Sequence, residues 1–145
     1  MIGGGGKRVL SFAGREADIV SINTVPFTVR NDDGLTPREE AVRRFEYVRA
    51  AAGPRIYDLD IESSPFFVSV IDSATDAEDA YERMATKTGM AIEVLRDHPN
   101  VLVGSPDTIA ETLEERRETL GANYITVQQW QAERFAPIVA RLTST

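Results

Sequence analysis

Helix-period and strand-period segments alternate along this chain, and that alternation narrows the possible folds more than any other feature. Lys7 to Ala17 carries Val9, Leu10, Ala13 and Ala17 on one helical face, with Phe12 beside it. Asp18-Ile19-Val20-Ser21-Ile22-Asn23 is short and β-branched, and reads as a buried strand. Thr24 to Leu35 holds Pro26 and Asn31-Asp32-Asp33-Gly34 without a clear period, and reads as a loop or insertion. Thr36-Pro37-Arg38-Glu39 supplies an N-cap, a proline at the first helical position and a capping box. That helix runs to Ala52 and stops at Gly53-Pro54. Leu59 and Ile61 then alternate with Asp58, Asp60 and Glu62, which predicts a half-exposed strand with a solvated carboxylate face.

Phe66 to Ile71 is nearly continuous apolar, the pattern of a parallel strand covered on both faces. Thr75-Asp76-Ala77-Glu78 has the form of a second capping box, opening a helix with Ala80, Tyr81, Met84 and Ala85 inward. Gly89 interrupts it, and Met90 to Leu95 makes a further short helix. Asp97-His98-Pro99-Asn100 reads as a turn, with its histidine at the surface. A short apolar piece, Val101 to Gly104, precedes the N-cap signal Ser105-Pro106-Asp107. The next helix turns Ile109, Leu113 and Leu120 inward and ends at Gly121. Ala122 to Gln128 is another strand, and Phe135 to Leu142 a final amphipathic helix. This order implies right-handed βαβ units and a parallel sheet within one domain, residues 1–145. A complete eight-fold barrel takes about 250 residues. The chain has room for half of one, or for a small open α/β sheet.

Composition excludes several classes. A formal net charge of -7 argues against nucleic acid or an anionic membrane as partner. With no cysteine there is no disulfide, thiolate nucleophile or zinc-thiolate centre, and a single histidine leaves no histidine-rich metal site. No apolar run reaches the roughly 18 residues of a membrane span. The start is glycine-rich and unlike a signal peptide, so the expected location is cytoplasmic.

The opening run Met1-Ile2-Gly3-Gly4-Gly5-Gly6-Lys7-Arg8 has the composition of a phosphate-cradling loop. Bare backbone N–H groups, a helix N-terminus and two cations all favour an anion there. Such loops normally follow a buried strand, and here only the stub Met1-Ile2 precedes it. A frayed terminus is the plain alternative. A Walker-type loop fits poorly, because Arg8 stands where a hydroxyl must hold magnesium.

Three stretches, IGGGGKRVLSFAGREADIVSI, VGSPDTIAETLEERRETLGANYITV and FAPIVARL, resemble the luciferase-like family of flavin- or deazaflavin-dependent oxidoreductases. The last is similar to the closing helix of the actinobacterial branch that uses coenzyme F-420. The resemblance implies the C-terminal half of a (β/α)8 barrel, with about four βα units and the first strand cut short. It implies FMN or coenzyme F-420 as cofactor, with F-420 preferred, and an organic small-molecule substrate that exchanges hydride or is monooxygenated. It places Gly3, Gly4, Gly5 and Gly6 against the cofactor phosphate, with Lys7 and Arg8 as charge partners. The family's first four strands have no counterpart, so a homodimer or a separate N-terminal half-barrel is the expected partner.

Asn23 and Gln128 end their strands, on the face that holds the active site in parallel barrels, where either amide can touch ring or substrate. Loop capping is the competing role. Trp130 sits at the same mouth and is expected to pack. Glu111, Glu114, Glu115, Arg116, Arg117 and Glu118 read as a mixed-charge helix surface. No nucleophile–base pair emerges, so no catalytic residue is assigned, and no metal is expected. The competing function is a non-catalytic half-barrel that exposes Phe66, Val68 and Val70 and acts by self-association or through a partner chain.

Overall fold

A computed structural model of the chain describes residues 1–143. Its strands are β1 (Ile2–Gly4), β2 (Ile19–Ile22), β3 (Asp60–Ser63), β4 (Phe67–Val70), β5 (Val101–Gly104) and β6 (Tyr124–Ile125). Its helices are α1 (Lys7–Glu16), α2 (Pro37–Ala52), α3 (Ala74–Thr88), α4 (Ile92–Arg96), α5 (Pro106–Leu120) and α6 (Ala132–Thr143). Four strands form one parallel sheet in the order β1-β2-β3-β6. β4 and β5 form a separate parallel pair. The main sheet is thus a row of βα units in chain order, the arrangement of one half of a (β/α)8 barrel, with free edges at β1 and β6.

Right-handed crossovers between strands in chain order put the connecting helices on one side of such a sheet. Val20, Leu59 and Ile61 lie on that side and bury against Leu10 and Ala13 of α1 and Val48 of α2. The two helices meet closely: a methyl group on Gly14 would fall 2.7 Å from the Val48 carbonyl oxygen. The β4–β5 pair is covered on both faces, as its apolar run predicts. Phe67 and Ile71 meet the Tyr81–Met84 face of α3, and Val68 and Val70 meet Ile109, Leu113 and Ile138 of α5 and α6.

Several local readings change. Gly3 and Gly4 belong to β1, paired with Ser21 and Ile22, so only Gly5 and Gly6 form the loop. The capping hydroxyl of α3 is Ser73, which accepts from the Asp76 N–H, and Thr75 lies inside the helix. Val68 and Val70 are packed and not open to a missing half; of the three named, only Phe66 is exposed, at 64%. Trp130 is 78% exposed and packs little. The Ala122 to Gln128 strand shrinks to Tyr124–Ile125.

The turn before β5 is a buried hub and not a surface turn. His98 is fully buried and stacks on Phe27 at 4.1 Å. Its Nδ1 accepts the Asn100 N–H at 3.1 Å, so Nε2 carries the proton and faces the Pro26 carbonyl at 3.3 Å. Asn100 Oδ1 accepts from the Val25 N–H, and its carbonyl accepts from Phe66 and Phe67. Arg116, read as helix surface, is 4% exposed and donates to the carbonyls of His98, Pro99 and Val101. Burial lowers the His98 pKa to about 4 from an ordinary value of 6.5, so the ring folds neutral. The unfolded chain therefore binds more protons between these values, and stability is complete above pH 6.5 and falls as the pH drops towards 4. Urea titrations across that window should show a loss on the order of 2 kcal/mol, flattened in His98→Gln.

Candidate functional site

The second face of the main sheet is polar. Register pairs Gly3 with Ser21, Ser21 with Glu62, and Glu62 with Tyr124, so one row crosses all four strands. These residues alternate with Val20 and Ile61, which face the helices, and therefore point to the other side. The ladder continues one step, from the Asn23 N–H to the Gly4 carbonyl and from the Thr126 N–H to the Ser63 carbonyl. Alternation then adds Asn23, Ser64 and Thr126 at the C-terminal ends of the strands. In parallel barrels this end is the functional one.

Glu62 is the centre of the row and corrects the solvated-face reading. Asp58 and Asp60 are exposed, but Glu62 is 6% exposed. Ser21 Oγ donates to Oε2 at 2.5 Å and Ser64 Oγ to Oε1 at 2.7 Å. Burial pushes the Glu62 carboxyl up, but the hydroxyls of Ser21, Ser64 and Thr126 together outweigh it and hold it below the ordinary carboxylate value. It is an ionised, buried carboxylate, and among the described residues no cation pairs with it. Strict alternation with Asp58 and Asp60 gave no sequence signal for this. The hydroxyls at Ser21, Ser64 and Thr126 were the available one.

The glycine loop lies above the same row. Gly6 caps α1 with no side-chain acceptor, and the first turn of α1 holds no acidic residue. Its N-terminal N–H groups are therefore open to an anion. A methyl group on Gly6 would meet nothing within 4 Å, whereas one on Gly5 would fall 3.2 Å from the Arg44 guanidinium. Gly4 has a packing role, because a methyl there would strike Val9 at 2.6 Å. No sequence motif marks Arg44. Its Nη1 donates to the Asn23 carbonyl and its Nε to Glu40, both at 2.8 Å, so it joins the ends of β1 and β2 to α2. Arg8 is exposed beside the loop, while the Lys7 ammonium lies 5.7 Å from the Tyr47 ring centre.

Asn23 is exposed at the end of β2, and its backbone is held by Gly4 and Arg44. Gln128 is exposed too, and caps the short turn Gln129–Gln131 through the Gln131 side chain. The structure brings Asn23 to the glycine loop and leaves Gln128 beyond β6, at the far edge of the row. A second groove, of about 480 Å3, opens at the ends of β4 and β5. It is lined by Asp72, Glu78 and capping hydroxyls, and its one cation, Arg96, is paired with Glu78. That lining suits an anion less than the glycine loop does. Among the described residues no cluster of His, Cys, Asp and Glu could hold a metal, and no helix is long and apolar enough to cross a membrane.

No protein-family model and no curated relative matches the chain. Solved structures do. EDTA monooxygenase from Chelativorans sp. BNC1 superposes with a TM-score of 0.63 at 14% identity, over 99% of this chain and 44% of its own. Riboflavin lyase, solved with modified FMN and riboflavin, gives 0.62 at 10% identity, over 98% of this chain and 42% of its own. The fold is shared. The chain spans less than half the length of these structures. The coenzyme F-420-dependent tetrahydromethanopterin reductase from Methanopyrus kandleri gives 0.52 at 16% identity, over 96% of this chain and 48% of its own. Each of these matches leaves more than half of the larger protein without a counterpart here.

Proposed function

We propose that the chain is the C-terminal half-barrel of a luciferase-like oxidoreductase that binds FMN or coenzyme F-420 and acts on an organic small molecule. One observation carries the reading: the uncapped N-terminus of α1, with Gly5, Gly6, Arg8 and Arg44 around it, stands at the mouth end of the polar row. A flavin or deazaflavin, when bound, supplies the hydride chemistry. The residues supply the rest. Gly5 and Gly6 admit a phosphate to the α1 N–H groups, Lys7 and Arg8 add charge, and Arg44 fixes the loop against Asn23. Gly3 leaves the floor of the row flat, and Asn23 stands at its rim next to the phosphate end. The F-420 branch of the family is favoured by the closing helix FAPIVARL and the Gly-Lys-Arg loop. A second copy or a separate half-barrel pairs with this sheet along its free edges. The free edges of β1 and β6, flanked by exposed Phe12 of α1 and Val139 of α6, support that, and sedimentation of the isolated chain tests it.

FMN and riboflavin differ only in the phosphate, so they isolate the loop. Lys7→Gln/Arg8→Gln should weaken FMN about tenfold, a change of about 1.4 kcal/mol, and leave riboflavin unchanged. Equal loss for both ligands would remove the phosphate role of the loop.

A further inference from the structure

We infer that the Glu62 row selects a substrate carrying a protonated amine, an inference that rests on reading this face of the sheet as the binding face. Ser21 and Ser64 both spend their single O–H proton on Glu62. A hydroxyl has one donor, so each can then offer a ligand only lone pairs. The carboxylate itself only accepts, and it is ionised. Ser21, Glu62 and Ser64 together form a surface with acceptors and no donors.

Charge sharpens the selection. Glu62 is buried, and among the described residues no Lys or Arg pairs with it. A carboxylate or phosphate on the ligand would find no donor on Ser21, Glu62 or Ser64 and would meet a negative charge. A neutral hydroxyl can donate once. An ammonium donates three times and cancels the charge, so it gains most from this site. Tyr124 stands directly across the register from Glu62 and is 46% exposed, which puts an aromatic ring beside the carboxylate. Carboxylate, oriented hydroxyls and an aromatic ring are the elements that recognise an organic cation. The phosphate end of the mouth, at Gly5 and Gly6, is cationic, so the two ends of the row sort ligand groups by charge.

Three probes of one length separate the possibilities: n-butylammonium, n-butanol and butyrate, each titrated into the intact chain without cofactor. The readout is the Glu62 side-chain carboxyl signal by carbon NMR, with the Ser21 and Tyr124 amide signals. The inference expects saturable shifts with butylammonium, at least tenfold weaker binding of butanol, and none of butyrate. Glu62→Gln should abolish the preference for the ammonium, since the amide brings a donor and removes the charge. Tyr124→Leu leaves the carboxylate and its hydroxyls in place, and should weaken the ammonium several-fold, which keeps the test open if the glutamine variant does not fold. Absence of ammonium shifts at Glu62, or butyrate binding as well as butylammonium, would overturn the inference. Because no cofactor is present, this outcome is independent of whether FMN or F-420 binds.

Discussion

Replacing Arg116 with methionine is expected to cost the fold about 3–5 kcal/mol, a large part of the about 5–15 kcal/mol that holds a domain together. The guanidinium is buried and reaches three carbonyls, those of Pro99 at 2.8 Å, His98 at 3.1 Å and Val101 at 2.8 Å. Methionine fills the volume and donates nothing, so three buried carbonyls each lose a charge-assisted bond, and of the three that of His98 keeps a backbone donor, the Val101 N–H at 3.1 Å. Relief of the desolvation of one charge offsets part of that loss. Burial already lowers the Arg116 pKa to about 10, and one polar atom, Nε, has no protein partner. A cavity of about 30 Å3 beside it has room for one water. Lysine should not rescue, because one ammonium cannot span the fork of three carbonyls. Urea denaturation measures the cost. A loss under about 1 kcal/mol would show that the turn before β5 holds without the arginine.

Gly121→Ala is expected to cost about 2–4 kcal/mol. Gly121 ends α5 at φ 67°, where a side chain costs about 1–2 kcal/mol. A methyl group there would also fall 2.1 Å from the Phe45 ring of α2. Phe45 packs against the cluster under the main sheet, so it cannot swing away without opening the contact between α2 and α5. Thermal melting of the variant measures both effects. Phe45→Leu in the same background should recover the steric part and leave the backbone part.

The helices were legible in the sequence because their signals are local. Thr36 and Glu39 do form the capping box, Pro37 and Pro106 do open their helices, and Gly89 and Gly121 do end theirs. Strand pairing was less so. Nothing in Phe66–Ile71 says that it leaves the main sheet to pair with Val101–Gly104 alone, because that choice is made by which helices cover it. The largest misses share one physical cause. Glu62, His98 and Arg116 are polar residues in polar surroundings of the sequence, and each is buried because backbone or hydroxyl partners far along the chain satisfy it. Local pattern carries no record of such partners. The glycine loop was visible by composition, but its division into two strand glycines and two loop glycines depends on the register of β1 with β2.

Equilibrium titration decides whether the polar face of the main sheet binds a cofactor. FMN and coenzyme F-420 are each added to the intact chain, and ligand fluorescence is followed with circular dichroism as the check on folding. Saturable micromolar binding of one of them is the predicted result. A folded sample that binds neither would contradict the assignment of a cofactor site to this face.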